Sequence, residues 1–156
     1  NSIKSEQGLS FDSPLFERKT MSLNHPERVL AEAKLVSSHF GEVEFENNWI
    51  WIKQFNLPST FNRRTSNLLI ILPDDYPESP LQDMYLDKRL KKNGETPEHY
   101  FENKYGDDSI RSKGYAWYSI HFKEWHSSAW SIIRGDNLLT AINALYDALK
   151  FDEDER

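Results

Sequence analysis

The run Tyr115-Ala116-Trp117-Tyr118-Ser119-Ile120-His121-Phe122-Lys123-Glu124-Trp125-His126 holds the densest chemistry in the chain. It sets two histidines, the side chains that change charge nearest neutrality, beside two tryptophans and a serine. A polar group held among aromatic rings loses water, and its pKa then moves toward a working value. On a strand, two-residue alternation puts Ser119 and His121 on one face, where a hydroxyl and an imidazole could serve as nucleophile and base. No G-x-S-x-G elbow surrounds Ser119, however, and no third member of a triad is assigned. A satisfied histidine beside a packed aromatic cluster is the commoner arrangement for such residues. His121, Glu124 and His126 fail as zinc ligands on spacing, because a helical pair needs histidines four apart and these are five apart. His25 and His39 flank the first helical pattern and read as structural or solvated, and His99 falls in a charged loop. With no cysteine there is no disulfide, no thiolate metal site and no thiol nucleophile. No glycine loop cradles a phosphate, and neither metal nor cofactor is expected.

The elements around this stretch follow from periodicity. Asn24 or His25 as cap, Pro26 in the first turn and Glu27 against the dipole open a helix. Val29, Leu30, Ala33, Val36 and Phe40 give it one buried stripe, and Gly41 ends it. From Val43 the period becomes two: Val43 and Phe45, then Trp49, Trp51 and Phe55, with a turn at Asn47-Asn48. Leu68 to Leu72 is a third strand, apolar on both faces and therefore central; Met84 to Leu86 is a short fourth. Between them Pro73, Pro77 and Pro80 forbid helix and ladder alike and predict a rigid crossover. Residues 91–114 read as a long charged loop with about one helical turn, a length that is often functional. After an extended stretch from Tyr115 to Phe122, the positions Leu138, Leu139, Ile142, Leu145, Tyr146 and Leu149 form a helical stripe with Asp136 as cap. The pattern is α+β, with an antiparallel four-stranded meander and its helices on one sheet face.

Composition bounds the function. The chain has 156 residues, 38% hydrophobic and 13% aromatic, enough for one folded, soluble domain. Asp and Glu outnumber Lys and Arg by 25 to 19, a net charge of -6 that argues against a nucleic-acid partner. No apolar run approaches the roughly 18 residues of a membrane span, no signal peptide opens the chain, and the cytoplasm is the expected compartment. Residues 1–20 read as an appended arm, leader or fused tail ahead of Met21, residues 21–151 as the domain, and 152–156 as an acidic tail.

Several of these sequences, in this order, resemble the ubiquitin-conjugating fold. They are L-L-I-I-L-P-D-D-Y-P-E-S-P at Leu68 to Pro80, with the P-x-x-Y-P-x-x-P element after a third strand, and W-S-I-I-R-G-D-N-L-L-T-A-I at Trp130 to Ile142 leading into a helix. Y-S-x-H at Tyr118 to His121 and Gly135-Asp136 make the chain most similar to prokaryotic ubiquitin-conjugating family E, over about residues 25–150. The resemblance implies transfer of a ubiquitin-like protein, received from an activating enzyme as a thioester on a cysteine and passed to a target amine. It further implies a bacterial, anti-phage setting with a metallopeptidase that reverses conjugation, and a target such as a cyclic-nucleotide synthase or a phage protein. No membrane partner is implied.

The chain departs from that family by having no cysteine and no His-Pro-Asn triplet. Either the nucleophile has been substituted, or the protein is a non-catalytic adaptor that binds a ubiquitin-like protein. A small serine/histidine hydrolase is a third reading. The family's histidine just downstream of its cysteine fits His121 and puts Ala116 or Trp117 at the nucleophile position. Ala116 is the leading candidate, a small residue between Tyr115 and Trp117 such as a substituted cysteine would leave; Ser119 is second. His121 would polarise the thiol or the oxyanion. Asp136 and Asn137 would position the amine or cap the last helix, and Tyr76 and Trp130 complete the set of partner-binding candidates.

Overall fold

A computed structural model describes residues 25–152. The arm over residues 1–20, Met21, the cap at Asn24 and the tail residues 153–156 lie outside the described residues.

Helix α1 (His25–Phe40) is followed by strands β1 (Val43–Glu46), β2 (Trp49–Asn56), β3 (Thr65–Ile71) and β4 (Asp83–Asp87). Then come β5 (Tyr100–Phe101), the short helix α2 (Asp108–Arg111), β6 (Tyr115–Tyr118) and helix α3 (Leu138–Phe151). All strand pairs are antiparallel, and the order across the sheet is β1-β2-β3-β4-β6-β5. The expected meander is present as β1 to β4, but among the described residues the sheet has six strands rather than four. Tyr115 to Tyr118 pairs beside β4, and a two-residue strand forms inside the charged loop. The helical turn expected in that loop is α2, capped by Asp107, whose side chain accepts from Ser109 N.

Register divides the residues between two faces. The row Val43, Ile52, Leu68, Leu86, Ala116 runs across five strands, every member at most 2% exposed. It belongs to the main core, which α1 and α3 cover with Val29, Val36, Leu138, Ile142 and Leu145. Burying each such aliphatic side chain is worth about 1.5–3 kcal/mol. The alternate row, Glu44, Trp51, Leu69, Tyr85, Trp117, Phe101, lies on the opposite, outer face. There Leu69, Tyr85 and Ile110 of α2 form a second, smaller cluster lined by Trp49, Trp51 and Trp117. The helices therefore do not all share one face: α1 and α3 do, while α2 packs behind. Leu68, Leu69 and Ile70 are all buried because β3 is covered on both sides, as its apolar run implied.

A buried hub joins the ends of these elements. Glu32 of α1 accepts hydrogen bonds from Tyr76 Oη in the crossover at 2.6 Å, from Leu138 N at the start of α3 at 2.5 Å, and from Arg28 Nε at 2.6 Å. Arg28 and Glu32 are 2% and 1% exposed, and Arg28 Nη1 donates to Ser128 O at 2.5 Å. Burial raises the Glu32 carboxyl above its usual range, against the opposing pull of Tyr76, Arg28 and the Leu138 N–H. Helix α3 is capped by Asn137 rather than by the expected Asp136. The Asn137 side chain accepts from Thr140 N, and Thr140 Oγ1 accepts from Asn137 N, a reciprocal box.

Candidate functional site at the end of β6

Strand β6 delivers its odd-numbered residues to the outer face and its even-numbered ones to the core. Immediately after it, Ser119 Oγ lies 3.3 Å from His121 Nε2, so the alternation expected from the sequence does bring the two together. The Ser119 N–H donates to His99 O at 2.8 Å, which holds the serine beside β5. His121 is exposed and Ser119 half-buried. Among the described residues no carboxylate lies within ion-pair distance of His121. A serine hydroxyl and an imidazole at this distance are what a nucleophile and its base would require, though no third group among the described residues orients the ring.

Ala116 is placed otherwise. It is 0% exposed, paired with Leu86 at the end of the core row, and its methyl group packs on the side covered by α1 and α3. A thiol there would sit beneath the helices, out of reach of an extended protein tail. Trp117 is on the outer face with Ser119, half-buried, its indole N–H beside Asp83. Burial raises the Asp83 carboxyl, and Trp117 pulls it back.

The segment after His121 is stapled to the proline crossover. Trp125 Nε1 and Ser127 Oγ both donate to Pro77 O, at 2.7 and 2.9 Å, and the Trp125 ring packs 6.2 Å from Tyr76. The loop from His126 to Asp136 is closed at its base, where His126 N donates to Asp136 Oδ2 at 2.7 Å and Asp136 N to His126 O at 2.9 Å. Gly135 is required there, because a Cβ would stand 2.5 Å from His126 O and 2.8 Å from Ser128 N. From this closed base Trp130 and Ile133 project, 64% and 77% exposed. Asn137 Nδ2 ties the far side by donating to Ile132 O at 2.5 Å.

Of the candidate partner-binding residues, Trp130 is open to a partner. Asp136 closes the loop, and Asn137 caps α3 at 4% exposure. Tyr76 is 3% exposed and spent on Glu32, so it is structural, as Pro73, Pro77 and Pro80 around it are. Sequence reasoning missed Arg28 and Glu32, which anchor the loop from below; their only signal was an Arg–Glu pair at i, i+4, which ordinarily marks a solvated helix face.

Residues 25–152 match the model of prokaryotic E2 family E. The chain belongs to that family. No curated protein and no solved structure matches it. In family E, as in E2-like proteins at large, a helix precedes an antiparallel sheet and another follows it, and the function is of the conjugating type, with an activating enzyme and a ubiquitin-like protein as the partners the family implies. This family E chain carries that architecture with no cysteine in its sequence. No helix among its described residues is long and apolar enough to cross a membrane.

Proposed function

We propose that this family E protein accepts a ubiquitin-like protein from an activating enzyme and passes it to a target amine, with Ser119 as acyl acceptor and His121 as its base. The observation that carries this is the 3.3 Å Ser119–His121 contact on the open face, set against an Ala116 that is wholly buried. Ser119 Oγ attacks the C-terminal carbonyl carbon of the thioester held by the activating enzyme; its proton goes to His121 Nε2, the thiolate leaves, and an ester forms. The amine then attacks that ester. His121 returns its proton to the departing serine oxygen, and the proton lost by the amine nitrogen goes to solvent. Trp130 on the tethered loop is the contact a protein partner would cover. The anti-phage setting, the reversing metallopeptidase and a target such as a cyclic-nucleotide synthase or a phage protein rest on the family alone.

The test is to incubate the chain with a cognate activating enzyme, ubiquitin-like protein and ATP. An adduct that survives reductant, is cleaved by hydroxylamine and disappears in Ser119→Ala is expected. Ser119→Cys should convert it to a reductant-sensitive one, and Ala116→Cys should form none. An adduct on Ala116→Cys alone would overturn the assignment. One specific observation favours the adaptor reading, namely that no carboxylate among the described residues orients His121; binding of the ubiquitin-like protein with no adduct on either cysteine variant would establish that reading. Acyl-enzyme burst kinetics on a simple ester would mark the hydrolase.

A further inference from the structure

The outer face carries a second arrangement that acyl transfer does not use. Phe101 on β5, Tyr105 in the turn that follows and Trp117 on β6 form a triangle of rings. The Phe101 and Tyr105 centroids are 4.8 Å apart with planes at 89°; Phe101–Trp117 and Tyr105–Trp117 are 6.1 and 5.7 Å. The Lys104 ammonium stands 5.2 Å from the Tyr105 centroid and 5.7 Å from that of Phe101. Both distances fall within the roughly 6 Å over which the negative face of a ring attracts a cation. Among the described residues no carboxylate lies within ion-pair distance of Lys104, so the rings are its evident partners.

The turn that carries Tyr105 is pinned at three points. Arg111 Nε, in a residue only 9% exposed, donates to Tyr105 O at 2.6 Å. Asp107 N donates to Tyr85 Oη at 2.8 Å. Gly106, with φ +69°, lies so close to the sheet that a Cβ would stand 2.7 Å from Trp117 Cδ1 and 2.8 Å from Tyr85 Oη. Glycine alone permits both that backbone conformation and that approach. A lysine lying over surface rings by accident needs no such scaffold, whereas a recognition site gains from rings set in place beforehand, as half-buried Phe101 and Trp117 and exposed Tyr105 are. The charges nearby suit a cation. Asp83 stands beside Trp117 and Asp107 caps α2, while Arg111, a cation close to the rings besides Lys104, is paired with Asp108 at 3.1 Å.

We propose that the Phe101–Tyr105–Trp117 triangle is a binding slot for an alkylammonium group, either a lysine side chain or a quaternary ammonium, and that Lys104 occupies it in cis until such a ligand displaces it. The slot goes beyond the transfer reading and does not depend on it. Trp117 is two residues before Ser119 on the same face, about 7 Å away by strand geometry.

The experiment titrates the full chain with choline and, separately, with Nα-acetyl-lysinamide, following the indole signal of Trp117 by NMR at constant ionic strength. The control ligand is 3,3-dimethylbutanol, the uncharged carbon isostere of choline. Saturable shifts with at least one cation and none with the isostere are expected. Lys104→Ala should tighten the apparent affinity about threefold by removing the competitor held in cis. Tyr105 itself has φ +66°, so Tyr105→Asn, which keeps a residue tolerant of that left-handed backbone, should weaken it by a similar factor. Response to choline alone identifies a quaternary ammonium ligand, and response to lysinamide alone a lysine side chain. Equal shifts with the neutral isostere would overturn the proposal, as would the absence of saturable binding by either cation in folded Lys104→Ala. If Tyr105→Asn does not fold, Phe101→Leu takes its place with the same expected loss. The outcome leaves the adduct assay at Ser119 untouched, so the two ideas stand or fall separately.

Discussion

At the scale of single residues, the decisive contrast is between Ala116 and Ser119, three positions apart and on opposite faces of one strand end. It predicts how thiols placed at the two sites behave before any partner is added. Ser119→Cys should react with a disulfide reagent at close to the rate of a free thiol, because its side chain lies on the outer face beside exposed His121. Ala116→Cys should react only when the fold opens, slower by about 100-fold or more in native buffer, with the difference vanishing in denaturant. It should also cost about 1–3 kcal/mol in unfolding free energy, since the added sulfur must enter a fully buried row beside Leu86. Native Ala116→Cys reacting as fast as Ser119→Cys would show that the helices leave this row open. The parity that unites Ser119 with His121 was legible in the sequence, and the same parity sends Ala116 the other way. Which of the two faces α1 and α3 cover was not legible, because that is fixed by contacts between segments about a hundred residues apart.

Between elements, the buried Arg28–Glu32 pair does the joining. Glu32 ties α1 to the crossover and to the first turn of α3, and Arg28 ties α1 to the loop that carries Trp130. Removing one partner of a buried pair strands the other charge, so Glu32→Ala and Arg28→Ala should each cost about 3–5 kcal/mol. The double variant Arg28→Ala/Glu32→Ala should cost less than the sum by about 1–3 kcal/mol, because the second removal relieves the stranded charge. Denaturant unfolding of the four proteins measures this, and strict additivity would mean that the two side chains act independently. The pair also explains what the sequence left unread. The stripe Val29, Ala33, Val36 was visible from its period, as were the turn at Asn47, the central β3 and the proline crossover, because each rests on local chemistry. Arg28 and Glu32 look polar, and therefore solvated, until a third element covers them. β5 has two residues and no alternation to detect. Asp136 and Asn137 are both good caps, and only the reciprocal bonds between Asn137 and Thr140 chose between them.

For the whole molecule, four tyrosines report on the integrity of both sheet faces at once. Tyr76 and Tyr100 belong to the main core, Tyr85 to the smaller cluster, and Tyr115 packs against that cluster from β6. Burial raises all four hydroxyls above the ordinary value of 10. For Tyr76 the carboxylate of Glu32 adds to the effect, and for Tyr115 that of Asp87 does. Between pH 10 and the raised values the unfolded chain has lost these protons and the folded chain keeps them, so the folded state binds more protons and stability falls as pH rises. The four contributions share one sign and one window, and they span both faces of a single sheet. Alkaline unfolding should therefore be a single cooperative transition beginning above about pH 10, with no separate loosening of either face. Phenolate absorbance near 295 nm should rise for these tyrosines together with the loss of far-ultraviolet circular dichroism. The Tyr76→Phe variant should shift the transition to higher pH relative to its own stability at neutrality, since it removes one of the protons that drives it. If absorbance completes its rise near pH 10 while the circular dichroism stays native, the hydroxyls are reached by solvent in the folded chain, and the two-faced packing that sets Ser119 and the aromatic triangle outside and Ala116 inside would be wrong.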